Sequence, residues 1–120
     1  MLPKNLRLTK NSAFKATYNL RNTAGDSLFT LFAGKKKKDN ETPTRVGFVV
    51  SKKNHKRAVK RNRLKRLMRE AFWSALKDNE LKNIQANMSI ILVAKNNAIG
   101  KDFHTIKSSI LKLASKIKNN

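Results

Sequence analysis

The chain has 120 residues, no cysteine, and 28 Lys or Arg against 7 Asp or Glu, a formal net charge of +21. The length fits one domain with a modest core, the lack of cysteine excludes disulfides and thiolate metal sites and fits a reducing compartment, and His55 and His104 lie too far apart in sequence to suggest a histidine-rich metal cluster. So one-sided a charge repels itself in a compact state and points to a polyanionic partner, nucleic acid or an anionic membrane surface. No apolar run approaches the roughly 20 residues of a spanning helix, and MLPKNLRLTK at the start lacks the apolar stretch of a secretory signal. A cytoplasmic polyanion-binding protein is therefore expected.

Residues 1–10 read as a basic, irregular arm with Lys4, Arg7 and Lys10. Thr9, Asn11 and Ser12 offer N-cap side chains for a short helix over about residues 11–20. Phe14 and Tyr18 share one face of it at i, i+4. Two such rings are most simply core, and a stacking platform for bases is the alternative. Residues 21–27 (RNTAGDS) read as a turn region, with Gly25 and Asp26 as breakers. Residues 28–33 (LFTLFA) read as a strand, with Leu28, Thr30 and Phe32 on one side and Phe29, Leu31 and Ala33 on the other. Residues 34–44 (GKKKKDNETPT) read as a flexible loop in a hairpin connection. Its lysines 35–38 are first of all solvated charge, and a direct phosphate contact is the alternative. Residues 45–51 (RVGFVVS) form the next strand, where Gly47 marks a bulge or a close approach by another backbone.

A long helix then starts between His55 and Ala58 and ends near residues 77–79. Leu64, Leu67, Met68, Ala71, Phe72, Ala75 and Leu76 recur at the helical period and give it an apolar stripe. Residues 83–87 connect to an almost wholly apolar strand, 88–94 (MSIILVA), expected at the centre of a sheet covered on both faces. After a loop over 95–101, Asp102 caps a last helix from Phe103 to about Lys118, with Phe103, Ile106, Ile110, Leu113, Ala114 and Ile117 as its stripe. The order helix, strand, strand, helix, strand, helix gives an α+β class with a small sheet.

The polar side of the long helix carries the chemistry. Residues 52–69 hold ten Lys or Arg and no acid. Arg61, Lys65 and Arg69 fall on one line, with Lys60, Arg63 and Arg66 beside it. Like charges so spaced cost an isolated helix roughly 0.2–0.5 kcal/mol per pair, so a merely solvated face would mix in Glu. Arg57, Arg61, Arg63, Arg66 and Arg69 can fork onto phosphates and stack on bases, and Asn62 adds an amide for a base edge or ribose. Charge alone does not choose between a folded RNA and a DNA backbone. If Phe14, Tyr18 and Phe32 meet beside Lys52 and Lys53, they supply the aromatic-and-basic lining of a single-strand groove.

The segment SKKNHKRAVKRNRLKRLMREAF resembles the signature of the bacterial ribonuclease P protein component. The match centres on Arg61, Asn62, Arg63, Lys65, Arg66 and Arg69, preceded by Lys52, Lys53 and Asn54, and extends in order over about residues 5–115. It implies a single small α+β domain over 1–120, with a basic arm at 1–10, a flexible lysine loop at 34–44 and a tail at 119–120. Three helices and about four strands would follow as α-β-β-(β)-α-β-α, with a left-handed strand–helix–strand crossover against the usual rule. It further implies a subunit that binds a large catalytic RNA, 1:1, in an endonuclease that removes the 5′ leader from precursor tRNA, with no membrane partner. The RNA would hold the active site and its Mg2+. By position, Arg57, Lys60, Arg61, Asn62, Arg63, Lys65, Arg66 and Arg69 would contact the catalytic RNA, and Arg7, Phe14, Tyr18, Phe32, Arg45, Lys52 and Lys53 the leader. The chain has Ser27 and Phe32 where some members have Arg and Tyr; the ring at 32 still stacks but donates no hydrogen bond.

The acids, Asp26, Asp39, Glu41, Glu70, Asp78, Glu80 and Asp102, are scattered and form no evident general-acid or metal pair. A protein-only nuclease is therefore disfavoured. A ribosomal or chaperone-like RNA-binding protein is the main alternative, and a double-stranded DNA architectural protein has no groove-reading motif to support it.

Overall fold

The structure, a computed structural model, describes residues 3–39, 43–50, 57–82 and 84–117. The expectations for Lys52, Lys53, Asn54 and His55 lie outside these residues. In chain order the elements are α1 (Asn11–Asn19), β1 (Asn22–Gly25), β2 (Phe29–Ala33), β3 (Arg45–Val50), α2 (Ala58–Lys77), β4 (Ser89–Ala94) and α3 (Phe103–Lys116). Single 3-10 turns occupy Lys4–Leu6, Ile84–Ala86 and Asn96–Ala98.

The sheet order is β1-β2-β4-β3. β1 and β2 pair antiparallel, β2 and β4 antiparallel, and β3 and β4 parallel. β4 is central, as its apolar run predicts: Ile90, Ile91, Leu92 and Ala94 are buried, which requires cover on both faces. Two expectations are corrected by this order. β2 and β3 do not form a hairpin, because β4 lies between them. Nor is 21–27 wholly a turn: Asn22–Gly25 is a short edge strand, and the reversal is confined to the residues that follow it. There the Asp26 carboxylate accepts from the Leu28 and Phe29 amides at 2.8 and 2.9 Å, a turn chemistry that frees the preceding residues to pair.

α2 and α3 lie together on one face of the sheet, α2 over β3 and α3 over β1 and β2. The predicted stripes point inward. Leu64, Met68, Ala71, Phe72 and Ala75 of α2 meet Ile106, Ile110, Leu113 and Ala114 of α3 in one core with Phe29, Leu31, Val46, Val50, Ile90 and Leu92. Phe72 meets Phe48 edge to face at 5.9 Å. Burying each large side chain of this kind contributes roughly 1.5–3 kcal/mol. Asp102 caps α3 as expected, its carboxylate accepting from Thr105 N at 2.8 Å.

α1 lies on the opposite face, over β4 and β2. Its N-cap is Lys10, which makes no side-chain cap bond, rather than Thr9, Asn11 or Ser12; Asn11 and Ser12 already belong to the first turn. Thr17 anchors the helix, with its hydroxyl 2.6 Å from that of Ser89 on β4. The N-terminal arm is docked rather than free over residues 6–8. Arg7 bridges to Val46 in parallel, Leu8 N donates to Val46 O at 2.9 Å, and Leu8 is buried. This covers part of the outer edge of β3.

Gly47 marks neither a bulge nor a backbone approach. β3 keeps unbroken register with β4 from Arg45 to Val50, and what approaches is a ring: a Cβ at Gly47 would sit 2.6 Å from Phe14 Cζ. The lysine run is likewise more ordered than expected. Gly34 N donates to Ser89 O at 2.8 Å, Met88 N to Lys35 O at 2.7 Å, and Lys37 N to Ala86 O at 2.8 Å, so residues 34–37 continue the β2–β4 pairing.

Candidate nucleic-acid interface

Two surfaces carry the residues singled out in the sequence. The first is the outer side of α2. Arg57, Lys60, Asn62, Arg63 and Arg66 are exposed, whereas Arg61, Lys65 and Arg69 are half-buried, their stems along the margin of the core. The cations therefore spread over the arc left by the apolar stripe, with Asn62 and Val59, the latter 79% exposed, among them. On one flank Lys60 and Arg63 face Lys101 across a recess of about 190 Å³ floored by Leu64, Leu67 and Ile99. Lys101 follows Gly100, whose φ of 86° turns the chain back toward α2. The sequence reading missed Lys101; a basic residue just after a glycine turn was the available sign.

The second surface is the flank of α1 that faces the C-terminal ends of β3 and β4. Tyr18 meets Phe32 of β2 edge to face at 4.8 Å, and Phe14 lies 6.4 Å from Tyr18. Cross-strand register puts Phe32, Ile91 and Gly47 in one row beneath these rings. Phe14, Tyr18 and Phe32 are all half-buried, so each has both a packed and an accessible side, and core and platform are not exclusive here. Burial raises the Tyr18 phenol above its ordinary range. Beyond the rings, Thr30, Val49 and Val93 form a half-buried row. At its edge Lys95 Nζ donates to Asp26 O.

Of the remaining expected leader residues, Arg45 does not join the rings. Arg45 lies on the other side of α1, at the N-terminal ends of β3 and β4, where it pairs with Ser89. Arg7 is half-buried in the docked arm. Lys52 and Lys53 are outside the described residues. Among the described residues, no three His, Cys, Asp or Glu side chains come together to hold a metal ion.

The family model described as ribonuclease P matches residues 2–118. The chain belongs to the ribonuclease P protein family. One ribonuclease P protein component, from Thermoanaerobacter sp., is 34% identical over 116 residues, covering 97% of this chain and 92% of the relative. Another, from Nitrosomonas eutropha, is 45% identical over 71 residues, covering 59% of this chain and 58% of that one. The solved RNase P protein of Staphylococcus aureus superposes with a TM-score of 0.73 at 27% identity, covering 95% of this chain and 98% of that one. The RNase P protein from Thermotoga maritima gives 0.74 at 22% identity and shows the likeness of fold alone. The resemblance carried by the α2 segment is thus borne out, and so is the α+β class with three helices and a four-stranded mixed sheet.

Proposed function

We propose that the protein is the RNA-binding subunit of a ribonuclease P holoenzyme and helps a catalytic RNA remove the 5′ leader from precursor tRNA. One observation carries the assignment of the interface: every charged side chain of α2 and its N-cap from Arg57 to Arg69 is cationic, Arg57, Lys60, Arg63 and Arg66 are exposed, and no acid stands on the helix before Glu70. A folded RNA supplies phosphates over such an arc, and neutralising them releases counterions. The rings of Phe14, Tyr18 and Phe32, on the opposite face of the sheet, fit stacking by single-stranded leader bases. The division of labour is electrostatic: α2 holds the catalyst, the ring surface holds the leader, and a protein of net charge +21 relieves repulsion between two polyanions. Magnesium ions would sit on RNA and substrate phosphates, one protein would serve one RNA, and the holoenzyme would act in the cytoplasm.

Reconstitution tests this. The purified protein is mixed with its cognate catalytic RNA and a precursor tRNA at limiting magnesium, and leader removal is timed. The protein should accelerate cleavage by the RNA and show no cleavage alone. Tight RNA binding without acceleration would favour a chaperone-like role, and cleavage without the RNA would overturn the proposal.

A further inference from the structure

A groove of about 390 Å³ lies on the flank of α1 away from the rings, at the N-terminal ends of β3 and β4. Its size falls within the roughly 300–1,000 Å³ of small-ligand sites. Leu8, Ala16 and Met88 contribute apolar surface to it, and Lys10, Lys35 and Arg45 stand around it, with no carboxylate in the lining among the described residues. Met88 is 48% exposed there, one of few large apolar side chains so placed among the described residues. The walls are fixed by main-chain bonds: Met88 N to Lys35 O, Gly34 N to Ser89 O, and Leu8 N to Val46 O. A Cβ at Gly34 would sit 2.1 Å from Ser89 Oγ, so a side chain there would displace the hydroxyl whose bond to Thr17 holds α1 down.

An apolar floor within a ring of three cations matches a nucleotide, with the base face on the floor and its phosphates on the rim. The groove is on the same sheet face as Phe14, Tyr18 and Phe32, and on the face opposite α2. We propose that it is a second single-strand subsite, which takes leader nucleotides after they pass over α1 from the ring surface. This rests on the leader-binding role proposed above for the rings. It also gives Arg45 a place: a leader-contact residue, in this groove rather than among the rings.

The test uses the holoenzyme and a series of precursor tRNAs with progressively longer leaders, with binding measured over a range of salt. Wild type should gain affinity in two steps as the leader lengthens. A Lys10→Glu/Lys35→Glu variant should keep the first step and lose the second, by about tenfold or more, and its long-leader salt slope should become shallower by roughly 1.4, about 0.7 for each single-strand phosphate contact. Ala16→Trp, which fills the groove from an exposed helix position without changing charge, should also lose the second step alone. Phe32→Ala should lose the first. Unchanged length dependence in both groove variants would overturn the subsite, as would an equal loss for short-leader and mature tRNA. If Phe32→Ala leaves the first step intact, the ring assignment itself fails, which is a separate outcome from failure of the groove.

Discussion

At Gly47 the interface depends on the absence of a side chain. The sheet row beneath α1 runs Phe32, Ile91, Gly47, and only the missing Cβ at its end lets the Phe14 ring come this close to β3. Gly47→Ala should therefore displace the ring and cost about 1–3 kcal/mol of stability by overpacking. Urea unfolding of Gly47→Ala, alone and combined with Phe14→Leu, checks this: the second change should recover part of the loss, whereas additive losses would show that the contact is not the cause. The sequence allowed the importance of Gly47 to be seen but not its reason, since a glycine in a strand signals closeness without saying what comes close. The same holds for the rings. Spacing put Phe14 and Tyr18 on one face, yet their meeting with Phe32 depends on how α1 crosses the sheet, which no local pattern encodes.

Helix α2 was the most legible element, because two independent patterns agree on it. Its apolar period fixed the inward face, and the buried set Leu64, Met68, Ala71, Phe72 and Ala75 follows it. Its unbroken positive charge marked the outward face. Elements with weaker patterns were read less well: β1 has only four residues, Asn22–Gly25, and composition alone made it a turn. Arg61 and Arg66 sit on different parts of the cationic arc, half-buried and exposed. Replacing either with Ala should weaken binding of the catalytic RNA and reduce the log–log salt slope by roughly 0.7–0.9 per lost phosphate contact. Binding titrations from low to moderate salt measure both quantities. Unchanged affinity and slope in both variants would remove α2 from the interface. Leu64→Ala, by contrast, should cost about 2–5 kcal/mol of stability through the cavity it leaves.

Across the whole molecule, Asp26 clasps parts distant in sequence. Its carboxylate accepts from two amides of the β1–β2 turn and from Ser109 Oγ of α3, and its carbonyl accepts from Lys95 at the end of β4. Burial alone would raise its carboxyl. The Ser109 bond, the Phe29 and Leu28 amides and the charge of Lys112 outweigh that and hold it below the ordinary carboxylate range. A carboxyl depressed in the folded state stabilises the fold above its unfolded pKa, and that contribution is lost as pH falls through the folded value. Asp26→Asn should lower stability at neutral pH and make the acid-side loss shallower; unfolding midpoints measured from about pH 7 to about pH 3 would reveal it. An acid limb identical to wild type would exclude Asp26 as its source. Only the turn-making part of this clasp was visible beforehand, because Asp26 and Ser109 are joined only by the tertiary fold.

The central place of β4 has a consequence for how the chain comes into being. β2 and β3 are synthesised first but share no hydrogen bonds, and each waits for β4 to complete its pairing. While a ribosome has released only the portion before Ser89, both waiting strands present open edges and uncovered apolar side chains, the condition that invites association between nascent chains. The long-range closure also makes folding slow for so small a domain. The same lysine- and arginine-rich stretches proposed to bind RNA in the finished protein would keep such half-made chains apart by mutual repulsion, so the charge would serve the polypeptide before it serves a partner.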